Sequence, residues 1–486
     1  MKSPKSFEVV RASAGSGKTY RLVSRYLACC LAVDDPRVFR HVLALTFTNK
    51  AAWEMKERIL SDLAKVGSGK ASASFVAELS DQTGLPANTL AARARALRAT
   101  MLHRYGEMAV MTLDSFTNRL VKSFARDLAL DQDYRIELDQ DRIVDEAVGN
   151  LLDRVGTPGE EALTALLKGF ARLQVEEEKD SRIRHPLTTY GKEVLKEGMR
   201  NALEALGDMT PADFSTLSKA IRAEVKREEK ELAARVAKAL EAVRREGLTK
   251  KDVSRGSLIS WLEKNHRGEA VAPTQTLQTM FDDGIFTTKT APDHIVDAVA
   301  RVTPDAEHVL EQVQHMVPGT SRGEAHMLRK RILHKVDLVG TLAVIAEEME
   351  KVQEARNVRT FHALHERVAR VVRHNPVPFL FERMGSRYRH VFVDEFQDTS
   401  VTQWQNLIPL VDHVLAERHR TLVVGDGKQA IYRWRNGDYR QLLNLPRIVD
   451  DEEGAFADAE QTFHDALDDQ VLESNWRSGE AIVTWN

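Results

Sequence analysis

The feature that most constrains the fold is an apolar run that ends in two adjacent carboxylates, VFVDE at residues 391–395. Three apolar residues predict a buried strand, which places Asp394 and Glu395 at its carboxyl end. In such a place one carboxylate can hold a magnesium ion while its neighbour polarises an attacking water. A structural acidic turn after a strand is common as well, so this segment alone leaves both interpretations open.

A second segment, near the start of the chain, has the composition of a phosphate-binding loop. Glycines let backbone N–H groups close around phosphate oxygens, and the N-terminus of a following helix favours negative charge. Lys18 would reach the β- and γ-phosphates, and the Thr19 hydroxyl would bind magnesium. The strict pattern has glycine where this chain has alanine, so a chance Gly/Ser turn is the alternative. The predicted phosphate-binding residues are Ala12, Ser13, Ala14, Gly15, Ser16, Gly17, Lys18 and Thr19.

Strands and helices are predicted to alternate around these two segments. Helices are expected to begin at Lys18, after Thr48 as N-cap, and at Asp114. Alternation of this kind predicts an α/β fold with a parallel sheet and crossover helices. The predicted strands are 7–11, 42–47, 108–113, 390–393 and 421–425.

The segment 125–380 has a different character, because it is rich in Glu, Lys, Arg and Ala and has long helical periodicity. It predicts a large all-α insertion between two sheet-forming parts, with loops near 266–292 and 317–324. Apolar residues in 217–243 recur at helical spacing. They indicate either a coiled-coil surface for a partner or a helix packed inside a helical subdomain.

Composition argues against a disulfide-rich, a secreted or a membrane-spanning protein. The formal charge is 69 − 72 = −3, so no global basic field indicates a nucleic-acid partner, although a local basic groove would be enough. The two cysteines, Cys29 and Cys30, are adjacent and offer no disulfide framework. There is no signal-peptide pattern and no run of about 20 apolar residues, so we expect a soluble, cytoplasmic protein.

Aromatic and basic residues alternate after the strand at 421–425, in the segment IYRWR. A strand there would deliver Gln429 to a nucleotide and then expose Tyr432 and Trp434 between arginines, an arrangement that suits stacking of single-stranded bases. The alternative for Trp434 is a core position. For Trp404, a core position is the expectation.

Two histidines, His362 and His365, lie three residues apart on a predicted helix. They could bind a metal, but no acidic or cysteine cluster accompanies them in the sequence. We therefore interpret them as ordinary helix residues.

Together the segments resemble superfamily 1A DNA helicases of the UvrD/Rep type, most closely the RecB/AddA-like branch. The matching phrases occur in the family's order, with a helical insertion before the acidic one, and FHAL at 361–364 resembles the family segment just upstream of it. They are ASAGSGKT, ALTFTNKAAWEM, TLDSFTNRLVKSF, VFVDEFQDTS, VGDGKQAIYRWRNGD and ESNWRS.

The resemblance implies a RecA-like P-loop NTPase fold, ATP and Mg²⁺ as cofactors, and roles for particular residues. Gln429 would sense the γ-phosphate, Arg477 would reach it from a second motor domain, and Trp476 would stack on adenine. The implied catalytic residues are Lys18, Asp394, Glu395, Gln429 and Arg477, with Thr19 and Asp394 binding the metal. The implied DNA-binding residues are Phe47, Thr48, Asn49, Thr112, Ser115, Tyr432, Trp434 and Arg435.

The implied domains are 1–124 and 381–470 as the two parts of motor domain 1A, 125–380 as helical subdomain 1B, and 471–486 as the start of motor domain 2A. No adenine-recognition glutamine precedes the phosphate loop, and the later motifs of 2A, including its second arginine, are absent from the sequence. We therefore expect the ATP- and DNA-binding half of a 3′→5′ DNA helicase of recombination or repair, acting on single-stranded DNA or a duplex junction. The alternatives are a stand-alone ATP-gated DNA-binding module and one chain of a split motor, in which a second chain supplies the missing domains.

Overall fold

A computed structural model describes residues 5–125, 128, 130–131, 133–176, 183–196, 198–207, 209–374, 387–451, 454–472 and 474–479. Its main sheet has the strand order β3-β2-β6-β7-β1-β8, and every pairing in it is parallel. Strands β4 and β5 form a separate parallel pair. The predicted α/β fold is thus confirmed. The strands are β1 Phe7–Ala12, β2 Val42–Thr46, β3 Val110–Thr112, β4 Arg135–Ile136, β5 Val358–Arg359, β6 His390–Val393, β7 Thr421–Gly425 and β8 Leu467–Leu472.

The central strands are apolar on both faces, as expected for parallel strands covered by helices on each side. In β6, Val391 and Val393 lie in one hydrophobic cluster, and Phe392 lies in the cluster on the other face. Strand β1 divides in the same way, with Val9 on the first face and Val10 on the second. Burial on both sides explains why these strands appear in the sequence as continuous apolar runs.

Helices that follow the strands cover the sheet. Helices α1 to α4 contribute to the cluster that contains Phe392, whereas α5, α15, α16 and α18 contribute to the cluster that contains Val393. The helices of this part are α1 Lys18–Ala32, α2 Asn49–Gly67, α3 Ala73–Thr83, α4 Ala87–His103, α5 Leu113–Ser123, α15 Phe361–His374, α16 Val401–Ala416, α17 Arg440–Asn444 and α18 Ala457–Ala466, numbered along the whole chain.

The strand β8 was not predicted, because its sequence LDDQVL contains two acidic residues and little apolar periodicity. Its position depends on contacts with β1 and α1 at the edge of the sheet. The Arg11 guanidinium donates to Asp469 Oδ1 at 3.0 Å, and that of Arg21 donates to Gln470 Oε1 at 2.7 Å. These partners are distant in sequence, so no local pattern indicates the strand.

The inserted segment contains the short strands β4 and β5 near its two ends, and between them its described residues form only helices and connecting loops. The α-helices are α6 Gln140–Arg154, α7 Glu161–Glu176, α8 Arg184–Gly191, α9 Met199–Glu204, α10 Pro211–Arg245, α11 Ser257–Asn265, α12 Gln275–Asp283, α13 Asp293–Gln314 and α14 Ser321–Ala355.

The long helix α10 contains the periodic segment 217–243. Its residues Leu232, Val236 and Val243 are buried in one cluster with residues of α11 and α13. This packing confirms that α10 is a helix packed inside a helical unit.

One predicted loop is wrong in part. Within 266–292 the chain forms α12, which begins after Thr274, whose side chain accepts a hydrogen bond from the Leu277 backbone. Leu277 is buried, and the Phe281 ring meets the Trp261 ring edge-on at 5.6 Å. These tertiary contacts stabilise a helix too short to be evident in the sequence. The predicted loop at 317–324 likewise ends early, because α14 begins at Ser321.

The chain divides into two compact units. One comprises Met1–Gln140, Leu195–Glu197 and Gln353–Asn486, and the other Asp141–Val194 and Gly198–Val352. The described residues of 125–140 and 353–374, which were predicted to belong to the insertion, therefore group with the sheet. Leu130 and Tyr134 in the first range, and Leu364 and Val368 in the second, are buried in the core of the sheet. The assignment of segments to domains 1A, 1B and 2A stays a prediction.

The described helices include none that combines the length and the apolar character needed to cross a membrane.

Candidate functional site

The loop between β1 and α1 has the backbone of an anion site. Gly15 and Gly17 have φ angles of 79° and 96°, a region that side chains with a Cβ disfavour. Gly17 is the N-cap of α1, and no side chain in the described parts of the chain caps this helix end. The N–H groups of its first turn are therefore free of a side-chain acceptor and point toward the loop, where an anion is favoured.

Lys18 connects the loop to the ends of two other strands. Its Nζ donates a hydrogen bond of 2.7 Å to Gln429 Oε1 and lies 3.5 Å from Glu395 Oε2. These residues follow β1, β7 and β6, which are adjacent in the sheet. Because the carboxyl ends of parallel strands meet at one edge, three residues predicted separately lie together.

The backbone of Glu395 is unusual. Its φ is 50°, in the left-handed region that is costly for a residue with a side chain. Its N–H donates to Asp394 Oδ1 at 3.0 Å, and the Asp394 N–H donates to the Leu45 carbonyl at 2.9 Å. Such conformations persist where the surroundings impose them, and they cluster at functional sites.

Asp394 has the electrostatics of a cation site. Burial, followed by repulsion from the Glu395 carboxylate, raises the pKa of its carboxyl to about 7, against the smaller effects of the Glu395 backbone N–H and then of Lys18. A bound cation would lower the free-energy cost of keeping this carboxylate charged, because it would neutralise the buried charge. The described residues contain no group of three or more His, Cys, Asp or Glu that could hold a metal. An ion held by the predicted ligands Asp394 and Thr19 would take its other ligands from water and phosphate, as Mg²⁺ does, and the metal role of both residues stays a prediction.

Gln397, which had no predicted role, lies between the acidic turn and the end of β7. Its Nε2 donates to Glu395 Oε2 at 2.7 Å, and its Oε1 accepts from the Asp426 N–H at 2.8 Å. Its place two residues after Glu395 was the only sequence signal, because partners on another strand cannot be read from spacing.

Asp398, also without a predicted role, lies beside the segment that follows β7. The nearby backbone N–H groups of Ile431 and Tyr432 favour its charged form and tend to lower its pKa. Burial, and then the charge of Glu395, raise that pKa by more, so the net direction is upward. The neighbouring Thr399 carbonyl accepts from the Asp438 N–H at 3.1 Å. The acidic turn is thus bonded to the aromatic segment as well as to Lys18.

Trp476 and Arg477 lie beside the phosphate loop. The backbone N–H of Trp476 donates to the Gly15 carbonyl at 2.8 Å, and Asn475 Nδ2 donates to the Ala14 carbonyl at 3.0 Å. A Cβ on Gly15 would lie 2.7 Å from the Cβ of Arg477. The loop therefore needs glycine both for its φ angle and for this close approach, and the Trp476 indole is left 83% exposed.

Three aromatic rings and one arginine form a partly exposed cluster, which we call the aromatic cluster: Phe47, Tyr432, Trp434 and Arg435. The Phe47 and Tyr432 rings are 4.4 Å apart, and those of Tyr432 and Trp434 are 6.1 Å apart. The Arg435 guanidinium lies 4.7 Å from the centre of the Trp434 ring. Trp434 is 72% exposed, so a core position for it is wrong, whereas Trp404 is 1% exposed and is in the core as expected.

The remaining residues predicted to bind DNA lie at helix N-termini. Thr48 caps α2, accepting from the Ala51 N–H at 3.1 Å, which confirms it as N-cap, and Asn49 beside it is exposed. Thr112 caps α5, accepting from the Ser115 N–H at 3.1 Å. The hydroxyl of Thr112 also donates to Ser115 Oγ at 2.8 Å. DNA contact by these residues stays a prediction.

Of the two histidines of α15, His365 has partners in neighbouring helices, whereas His362 Nε2 lies 4.0 Å from Glu366 Oε1 of its own helix. His365 is buried, and its Nε2 lies 2.8 Å from Asp114 Oδ1, which also accepts from Gln403 Nε2 at 3.1 Å. Burial tends to raise the pKa of Asp114, but the hydrogen bond and charge of His365, with smaller effects of Gln403 and Arg435, lower it overall. This cluster joins α5, α15 and α16.

Comparison with curated proteins gives matches over nearly the whole chain. An ATP-dependent helicase/nuclease subunit from Clostridioides difficile is 22% identical over 507 residues, covering 98% of this chain and 36% of the relative. Its counterpart from Lactococcus lactis is 25% identical over 526 residues, with 98% and 40% covered. A RecBCD enzyme subunit RecB of Mycolicibacterium smegmatis is 35% identical over 101 residues, 21% of this chain and 7% of the relative.

The chain thus spans well under half the length of these relatives. A family model, the UvrD/REP helicase N-terminal domain, matches residues 1–449, which include the phosphate loop, the acidic turn and the aromatic cluster. The chain therefore belongs to the UvrD/REP helicase family, whose N-terminal domain it contains.

Proposed function

We propose that this chain is the ATP-hydrolysing and DNA-binding part of an ATP-dependent DNA helicase that moves 3′→5′ along single-stranded DNA and acts in recombination or repair. The observation that carries the proposal is the convergence of Lys18, Glu395 and Gln429 within hydrogen-bonding reach at the carboxyl edge of the sheet. A lysine, a carboxylate and a polar amide in this arrangement suit phosphoryl transfer to water.

The nucleotide site uses the chain's own groups as follows. The N–H groups of residues 12–19 bind the phosphate oxygens. When ATP binds, the Lys18 ammonium exchanges its hydrogen bond to Gln429 for contacts with the β- and γ-phosphates. Thr19 and Asp394 hold Mg²⁺, which neutralises charge on the phosphates when it is bound. Glu395 orients the attacking water and accepts its proton.

Trp476 and Arg477 complete the nucleotide site in this proposal. Their contacts with Gly15, and the hydrogen bond from the neighbouring Asn475 to Ala14, put them beside the phosphate loop. The exposed indole can therefore stack on adenine, and the guanidinium can reach the γ-phosphate. A guanidinium there offsets charge on the transferring phosphoryl group.

DNA binds along the aromatic cluster in this proposal. Bases stack on Trp434 and Tyr432, while Arg435 and Phe47 extend the same surface. Thr48, Asn49, Thr112 and Ser115 contact the DNA backbone near the two helix N-termini, where phosphate is favoured. Single-stranded DNA and duplex junctions are the proposed substrates.

The chain is proposed to act in the cytoplasm and within a larger enzyme. Its relatives are named as subunits and are much longer than the segment they share with it. We therefore infer that further domains, in the same polypeptide or in a second chain, act with this part during unwinding.

The test is ATP hydrolysis by the purified chain, with and without single-stranded DNA. We expect DNA to stimulate hydrolysis, and Lys18→Ala and Glu395→Gln each to abolish the stimulated rate. Lys238→Ala, a surface lysine of the helical unit paired with Asp305, is the matched control and keeps the wild-type rate. Activity that survives both changes would contradict the site.

A further inference from the structure

A closed ring of polar contacts runs through the ends of β1, β6 and β7. Lys18 Nζ contacts Gln429 Oε1 at 2.7 Å and Glu395 Oε2 at 3.5 Å. Gln397 Nε2 donates to the same Glu395 oxygen at 2.7 Å. The Asp426 N–H donates to Gln397 Oε1 at 2.8 Å, and Asp426 begins the turn that carries Gln429. Gln397 is the member of this ring for which the proposed function has no role.

The orientation of the Gln397 carboxamide is determined by its neighbours. A backbone N–H can only donate, so the atom that faces Asp426 is the amide oxygen. The NH₂ group then faces Glu395, whose carboxylate can only accept. Because Gln397 is 1% exposed, these bonds are shielded from competing water.

The end of β7 leaves room for this carboxamide. A Cβ added to Gly425 would lie 2.7 Å from Gln397 Oε1 and 2.8 Å from Leu442 Cδ2. Real Cβ atoms do not approach so closely, so a larger residue at 425 would displace the amide. Gly425 and Gln397 therefore fit each other at the position where the acidic turn meets β7.

Glu395 needs such support, because its left-handed backbone places its carboxylate in an arrangement that the isolated turn would not keep. We propose that Gln397 is a positioning residue, which holds the Glu395 carboxylate where it can meet the attacking water and ties it to the turn that carries Gln429. This inference rests on the proposed ATP hydrolysis and adds a residue to it.

The expected signature is a loss of rate without a loss of nucleotide binding. ATP is held by the loop N–H groups and Lys18, neither of which is bonded to Gln397. Hydrolysis instead depends on the place of the Glu395 carboxylate, and a misplacement of about 1 Å can cost about 10²-fold in rate. Gln397 variants should therefore separate kcat from affinity.

Two variants of Gln397 and a matched control provide the test. Gln397→Met keeps the length of the side chain and removes both hydrogen bonds. Gln397→Glu keeps an acceptor for the Asp426 N–H but places a second carboxylate against Glu395. Gln405→Met changes another buried glutamine, which bonds the Val449 and Asp450 carbonyls outside the site.

We expect both Gln397 variants to hydrolyse ATP about 10²-fold more slowly in a single turnover. Their affinity for a fluorescent ATP analogue with Mg²⁺ should stay within about threefold of wild type, whereas binding of ADP–aluminium fluoride, which resembles the transition state, should weaken in parallel with the rate. Gln405→Met should match wild type in all three measurements.

The other outcomes are distinct. A wild-type rate in the Gln397 variants overturns the positioning role while leaving the proposed function intact. An equal loss of ATP binding and hydrolysis overturns it too, in favour of a purely structural glutamine. Failure of the wild-type chain to bind or hydrolyse ATP at all instead contradicts the proposed function itself.

Discussion

The proposed nucleotide site around Lys18 and Glu395 and the aromatic cluster both lie in the sheet-containing unit, but their side chains differ in burial and in the kind of contact they make. Around Lys18 and Glu395 the polar atoms are mostly shielded and bonded to one another, so each group is held in one place. In the aromatic cluster, by contrast, Trp434 is mostly exposed, and its contacts are rings and a guanidinium. A buried polar network is sensitive to the loss of any member, whereas exposed stacking groups affect binding and hardly affect stability. The difference fits the proposed ATP hydrolysis around Lys18 and Glu395 and the proposed DNA binding at the aromatic cluster.

Glu395→Gln should give the largest difference between the effect on ATP hydrolysis and the effect on DNA binding. If Glu395 is the general base, its loss should lower the rate of ATP hydrolysis by about 10²–10⁴-fold. The aromatic cluster is unchanged in this variant, so affinity for single-stranded DNA, measured by fluorescence anisotropy, should remain that of wild type. A parallel loss of DNA affinity would show that the two regions are not separable.

Lower pH should weaken Mg²⁺ binding at the proposed nucleotide site, through Asp394. The pKa of its carboxyl is raised to about 7, so below that pH a proton competes with Mg²⁺. Affinity for Mg²⁺ should therefore fall by up to about tenfold for each pH unit below 7. Titration with Mg²⁺ between pH 5.5 and 8, followed by nucleotide binding, measures this effect.

The same shift predicts how stability depends on pH in the metal-free protein. Between about pH 4 and 7 the folded state keeps the Asp394 proton that the unfolded state loses, so the contribution of this group to stability falls as pH rises. Asp394→Asn should remove that dependence and raise the melting temperature at pH 8. A decrease in melting temperature at pH 8 would contradict the raised pKa.

A smaller effect, confined to the aromatic cluster, is expected from Trp434→Ala. Loss of one base-stacking ring should weaken binding of single-stranded DNA by about 1–3 kcal/mol. Because Trp434 is 72% exposed, the melting temperature should hardly change. Trp53→Ala, an exposed tryptophan on α2, is the control and should leave DNA binding intact. A large drop in stability would instead indicate a core role.

The smallest effect is expected from Arg435→Lys. Lysine keeps the charge for a DNA phosphate but stacks less well on the Trp434 ring, and an exposed cation–π contact contributes about 0.5–1 kcal/mol. DNA affinity should fall by that amount, with ATP hydrolysis at saturating DNA unchanged. No change in affinity would mean that Arg435 acts through its charge alone.

Much of the sheet could be predicted because its strands are buried on both faces. The runs at 390–393 and 421–425 are apolar and end in polar residues, so both the strand and its carboxyl end are evident in the sequence. The third predicted strand, 108–113, was too long at both ends. The Thr112 hydroxyl caps α5, which therefore begins at Leu113, and β3 is Val110–Thr112.

Other elements could not be predicted because their stability comes from distant partners. Strand β8 has little apolar pattern and is stabilised by β1 and by two arginines. Likewise, α12 depends on packing of Leu277 and Phe281 against its neighbours. Local propensity is a weak guide where tertiary contacts supply the free energy.

The sequence by itself determined the chemistry available to this protein: a glycine-rich loop with Lys18 and Thr19, paired carboxylates after a buried strand, and aromatics between arginines. These patterns are local, because a few consecutive residues specify a loop or a strand end. Only the tertiary structure decided which groups meet. Contacts such as Gln397 with Asp426, or Phe47 with Tyr432, join segments far apart in the chain and depend on the order of strands in the sheet, which no local pattern specifies.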